Sequence, residues 1–134
     1  MNYNNAKQQF EKYLDGYDSN NDKVRLKIIH TYGVVHAMEE ICHRMQLSEE
    51  DTELARIIAL LHDIGRAEQY TNGIPHDEAG VSIAGQILSD LNFTEEEKRQ
   101  ILNAIGEHRS SNENLPILSQ IIYEADKKSR NCFL

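Results

Sequence analysis

Leu60-Leu61-His62-Asp63-Ile64-Gly65-Arg66 is the stretch on which the fold of this 134-residue chain turns. Ile57, Ile58, Leu60 and Leu61 lead into two adjacent polar residues, and a glycine follows almost at once. Polar groups at the end of an apolar helix are costly to bury unless they are paired. A divalent transition metal is one such partner, because neutral imidazole and carboxylate both ligate it well. A helix C-terminus with a surface His and Asp, closed by Gly65 in a left-handed cap, is the other reading. The dipeptide alone does not choose between them.

Working outward, the chain is helical on both sides of this stretch. Upstream, Phe10, Tyr13 and Leu14 recur at helical spacing over Asn4 to Leu14, and Asp15-Gly16-Tyr17-Asp18-Ser19-Asn20-Asn21 breaks the pattern. A second helix runs from about Asp22 to Met45 on Val24, Ile28, Thr31, Val35, Met38, Cys42 and Met45, with Ile29, Val34, Ala37 and Ile41 widening the buried stripe. Ser48 and Asp51 form a capping box that opens a third helix through Ile64. Downstream, Arg66 to Pro75 lacks apolar periodicity and contains Asn72-Gly73, a turn signal. Helices are then predicted from His76 to Leu91 with Val81, Ile83, Ala84, Ile87, Leu88 and Leu91 inward, and from the Thr94/Glu97 capping box to about His108 on Ile101, Leu102 and Ile105. A last helix begins at Pro116 and carries Ile117, Leu118, Ile121, Ile122 and Ala125. No segment alternates with the period of a strand. The expectation is an all-α, compact bundle of about six helices, residues 1–134 forming one domain with the N-terminal helix (about 4–15) packed on a core of about 22–130.

The totals restrict the function. Hydrophobic residues at 40% and charged residues at 27% are ordinary for a globular domain. A formal net charge of −8 argues against a general binder of nucleic-acid polymers, which needs a basic face, yet leaves room for a small phosphorylated substrate beside a bound cation. Two cysteines, Cys42 in an apolar helical pattern and Cys132 near the end, give no disulfide framework. With no signal peptide and no membrane-length apolar run, the expected compartment is the cytoplasm.

Helical phase separates the six histidines. At about 100° per residue, His30 shares a face with Val34, Ala37 and Ile41, while His36, about 120° away, lies with Glu39, Glu40 and His43 on the solvated side. Taken singly, His30 also fits a core histidine bonded to a carbonyl, His76 a helix cap and His108 a helix-dipole partner. Asp126 follows Ile121, Ile122 and Ala125 on an apolar face, where an unpaired carboxylate is expensive. Together these placements have the form of a metal site assembled from several helices.

The residues now on the page resemble the HD superfamily of metal-dependent phosphohydrolases. The resemblance rests on His30 in Lys27-Ile28-Ile29-His30-Thr31-Tyr32-Gly33-Val34, the His62-Asp63 pair, and Asp126 in Glu124-Ala125-Asp126-Lys127. Binuclear branches add two histidines, matched in place by His76 in His76-Asp77-Glu78-Ala79-Gly80 and His108 in Gly106-Glu107-His108-Arg109. It covers roughly residues 22–130. Two departures stand out: the Gly-Tyr-Pro motif of members cleaving cyclic dinucleotides is absent, and Arg66 replaces the common lysine after Ile-Gly. The tail Ser129-Arg130-Asn131-Cys132-Phe133-Leu134 resembles the start of a cysteine-containing extension found in some relatives, so the expectation is either a naturally short chain or one lacking something that would cover Phe133 and Leu134.

The resemblance implies a hydrolase of phosphate esters or anhydrides of a nucleotide or other small metabolite, acting through a metal-bound hydroxide. His30, His62, Asp63 and Asp126 would hold one ion and Asp63, His76 and His108 a second, with Asp63 bridging. The mixed nitrogen and oxygen donors suit Fe, Mn, Co, Ni or Zn better than Mg. His62, Asp63 and Arg66 are the candidate catalytic residues. Arg66, Arg109 and Lys127 are the candidate phosphate contacts, each also readable as a solvated charge. Glu68 is a candidate proton donor, and the loop Arg66 to Pro75 a candidate specificity element. Other readings are a dinucleoside tetraphosphate hydrolase, a regulatory metal- and nucleotide-binding module without turnover, and a di-iron, oxygen-dependent member.

Overall fold

The computed structural model describes residues 2–15, 22–65, 73, 76–107 and 115–130. Among these there are six helices and no strand: α1 (Asn2–Leu14), α2 (Asp22–Arg44), α3 (Glu49–Leu61), α4 (His76–Ser89), α5 (Glu95–Glu107) and α6 (Ile117–Arg130). The all-α expectation holds. No described helix is long and apolar enough to cross a membrane.

The central element is α3. Leu54, Ala55, Ile57, Ile58, Ala59, Leu60 and Leu61 are all buried, as befits a helix that is apolar nearly all round. It is packed by α1, α2, α5 and α6. The long helix α2 lies between α3 and α6, and α4 pairs with α5. From α1, buried Ala6 and Phe10 close one side, with the Phe10 ring edge-on to Tyr32 at 6.0 Å and 79°. Burial and the adjoining Glu11 carboxylate push the Tyr32 phenol up to about 12.

The helix ends are set by local chemistry. Ser48 caps α3, accepting from the Asp51 amide at 3.1 Å, and Glu49, Glu50 and Asp51 fill the first turn where the helix dipole favours them. Thr94 and Glu97 form the reciprocal capping box: the Thr94 amide donates to Glu97 Oε1 (2.9 Å), and the Glu97 amide donates to Thr94 Oγ1 (3.1 Å). Helix α2 ends in a Schellman turn. The Leu47 amide donates to the Cys42 carbonyl, the Gln46 amide donates to His43, and Gln46 itself has φ of 56°. Gly73 also has positive φ, 74°.

Several side chains depart from their expected burial. Ile29 is 56% exposed, and Met45, Val81 and Ile117 are exposed too. On α2 the buried face follows His30, Val34, Ala37, Met38 and Ile41, against α3 and α6. Ile29 is turned about 100° from His30 and stands in solvent beside Leu26, one turn away. Met45 lies past the last turn of α2, in its C-terminal cap. Ile117 opens α6, and Val81 lies at the α4–α5 edge beside Gly106.

A left-handed backbone is costly for any residue with a Cβ, by about 1–2 kcal/mol, part of which glycine returns through its greater unfolded-state entropy. Gln46→Gly is therefore expected to raise unfolding free energy by about 0.5–1 kcal/mol in a urea titration. An unchanged midpoint would mean that Gln46 makes compensating contacts.

Candidate metal centre

Helix α3 stops at Leu61, three residues before the expected end, and His62 to Gly65 form a turn, with the Ile64 amide donating to Leu61. Successive residues of a continuing helix would point about 100° apart, so His62 and Asp63 could not readily face the same interior. The turn solves this, and both side chains are buried. Gly65 is not in the left-handed region, which among the described glycines belongs to Gly73. The surface-cap reading of the dipeptide is thereby excluded.

Two other helices complete the centre. His30 comes from α2 and Asp126 from α6, both buried. One ligand-type atom from each of His30, His62, Asp63 and Asp126 lies within 4.8 Å of the others. His30 Nε2 sits 2.8 Å from Asp126 Oδ1 across 96 residues of sequence. His62 Nε2 is 3.5 Å from Asp63 Oδ2 and 3.5 Å from Asp126 Oδ1. The two imidazole rings meet edge-on, 5.8 Å between centroids.

The orientation of His62 follows from its second nitrogen. Nδ1 lies 2.6 Å from the Ala59 carbonyl, which can only accept, so Nδ1 carries the proton. That bond fixes the tautomer and aims Nε2 into the cluster, as the outer hydrogen bond of a metal-bound histidine does. Two imidazoles and two carboxylates, with ligand atoms this close and this buried, form a donor set that fits a divalent transition ion.

The same groups also interact with one another. Burial works against charge on His62, but Asp63 and Asp126 outweigh it and hold the imidazole pKa above its ordinary value. For Asp126 burial acts to raise the carboxyl, yet hydrogen bonds with His30 and His62 bring it well below the usual carboxylate range.

The remaining expected site residues are distributed as follows. His76 opens α4, whose next turn passes the centre: a Cβ built on Gly80 would lie 3.7 Å from the Gly65 nitrogen. The His76 side chain, and all of Arg66, Glu68, His108 and Arg109, lie outside the described residues. Lys127 is exposed, its ammonium 6.0 Å from the centroid of the Tyr123 ring on its own helix. His36 and His43 are exposed, as helical phase predicts, and His36 pairs with Glu40 at 2.9 Å. One residue at the centre had escaped the sequence reading. Lys27 reaches Asp63 Oδ2 at 3.4 Å. The signal was its position three residues before His30, on the same face of α2.

Comparison with known proteins agrees with this geometry. The family model of the HD domain matches residues 28–131. An uncharacterized protein of Clostridium beijerinckii is 41% identical over 81 residues, 60% of this chain and 50% of its own length. Ribonuclease Y of Aster yellows witches'-broom phytoplasma is 31% identical over 111 residues, 80% of this chain but 20% of that protein. The crystal structure of a predicted HD superfamily hydrolase from an uncultured Thermotogales bacterium superposes with a TM-score of 0.68 at 28% identity, covering 93% of this chain and 64% of that one. The chain thus spans half or less of the length of these two sequence relatives.

Because a ligating His62 must be unprotonated at Nε2, an ion binding there competes with protonation of that nitrogen. Mn(II) affinity is expected to rise with pH until His62 is neutral and then level off, with proton release visible as a buffer-dependent heat in titration calorimetry. His62→Ala is expected to lose binding, and His36→Ala to keep it. Equal losses from both variants would contradict the assignment.

Proposed function

The chain belongs to the HD domain family, and on that footing we propose that it is a metal-dependent phosphohydrolase acting on a nucleotide or other small phosphorylated metabolite in the cytoplasm. The observation that carries the reading is the convergence of His30, His62, Asp63 and Asp126 from α2, the turn after α3, and α6 into one buried cluster. A divalent ion there would supply Lewis acidity toward a phosphoryl oxygen and lower the pKa of a coordinated water toward neutrality.

The chain's own residues do the rest. His30, on α2 and set against Asp126, and His62, in the turn after α3 and held through Ala59, present nitrogen donors whose orientations are fixed by hydrogen bonds. Asp63 and Asp126 provide the negative charge that holds a cation in a site with little access to water, where electrostatic interactions are stronger than in bulk. His76 and His108, with Asp63 as a bridge, are the proposed donors for a second ion. Arg66 and Arg109 are proposed to grip phosphate in bidentate fashion, and Lys127 as a further contact. The net charge of −8 supports a small substrate rather than a polymer, since a long phosphate backbone would be repelled away from the site.

A second reading, cleavage of a phosphodiester in RNA, is favoured by likeness to ribonuclease Y of the phytoplasma and of Latilactobacillus sakei, the latter 34% identical over 77 residues. The two are separated by substrate. Protein loaded with Mn(II), Fe(II) or Zn(II) and offered nucleoside monophosphates, dinucleoside polyphosphates and short RNA is expected to release phosphate or nucleotide from the small substrates, and Asp63→Ala to reduce the rate by about 100-fold or more. Cleavage confined to RNA would favour the second reading. Turnover only with oxygen consumption, or none with any of these metals, would overturn both.

A further inference from the structure

Lys27 stands apart from the four clustered residues in one respect: its side chain is 31% exposed, whereas that of Asp63, which it meets at 3.4 Å, is 4% exposed. We propose that Lys27 is a phosphate contact of this site alongside Arg66 and Arg109, resting on Asp63 and turned to the substrate when a metal ion draws on that carboxylate. The proposal rests on the phosphohydrolase reading and adds a residue to it.

Three observations carry it. The first is position. Lys27 lies one turn before His30 on α2, at the boundary between the buried cluster and solvent, where an incoming anion would meet it before the ligands. The second is the atom it touches. Asp63 Oδ2 is the oxygen that also faces His62 Nε2 at 3.5 Å, so the ammonium rests on an oxygen of the candidate ligand set. An ion drawing on that oxygen competes with Lys27, and the repulsion between two cations favours outward movement of the flexible lysine stem.

The third is charge. Asp63 and Asp126 together carry two negative charges, which one divalent ion only neutralises. A neutral centre in a chain of net charge −8 offers a phosphate dianion little attraction. Beside a single bound ion Lys27 tips the centre to net positive, and beside two it adds to their attraction; as a compact point charge on a mobile stem it suits a phosphoryl oxygen.

The test uses Mn(II) alone and then inorganic phosphate, by titration calorimetry on the whole chain. Lys27→Met keeps the apolar stem and removes the charge. It is expected to tighten Mn(II) binding by roughly threefold or more, because a competing cation is gone, and to weaken phosphate binding to the Mn(II)-loaded protein by about tenfold or more. Lys27→Arg should restore most of the phosphate affinity. The unaltered protein offers a check free of any folding defect: acetylation of Lys27, followed by mass spectrometry, should increase when Mn(II) is added and fall again with phosphate. Weaker Mn(II) binding in Lys27→Met with unchanged phosphate affinity, or labelling indifferent to both additions, would overturn the proposal and make Lys27 a support for Asp63 only. Failure of the loaded wild-type protein to hold phosphate would instead remove the phosphohydrolase reading, and this proposal with it.

Discussion

Two carboxylates inside a helical bundle are the constraint that the rest of the structure serves. Asp63 and Asp126 are buried within reach of each other, an arrangement that like charges resist strongly unless cations lie between them. His62, the residue before Asp63, faces an oxygen of each carboxylate, and His30 from a second helix is hydrogen-bonded to Asp126. The early stop of α3 at Leu61, the Nδ1 bond to Ala59, and the packing of α2 and α6 against α3 all make sense as means of bringing these four groups together. Removing one member leaves buried charge behind, which is why such clusters tolerate substitution poorly.

The fold was legible because its signals are local. A near-continuous apolar run marks α3 as central, and the Thr94/Glu97 pair marks the start of α5 by two hydrogen bonds that need no tertiary partner. Burial at helix margins was less legible. Val81 is apolar and in phase with buried Ala84 and Leu88, and Ile29 flanks the buried stripe of α2, and only the placement of neighbouring helices decides that both remain in solvent. The end of α3 was misplaced for a related reason: Ile64 continues the apolar period, but the need to bury His62 and Asp63 on one side breaks the helix first.

The four clustered residues could be picked out because each places an ionisable group on an apolar face, a combination that demands a partner. Helical phase also separated exposed His36 and His43 from buried His30. Lys27 offered no such contrast. A lysine near a helix start is the commonest kind of solvated charge, and only the closing of α2 onto the turn after α3 gives it Asp63 as a partner. Residues that contact a centre from its rim are harder to find in sequence than those that form its interior, since exposure imposes no energetic signature.

The family match to the HD domain and the four clustered residues that could hold a metal ion agree, while the relatives bearing names are longer proteins that share only this part with the chain. The central claim is that an ion sits among His30, His62, Asp63 and Asp126. A crystal grown with Mn(II) and measured at the metal's absorption edge tests it directly. The account predicts an anomalous peak bonded to His62 Nε2 and to oxygens of Asp63 and Asp126, with His30 completing the set. A cluster without such a peak, its histidines still bonded to the carboxylates at saturating Mn(II), would contradict it.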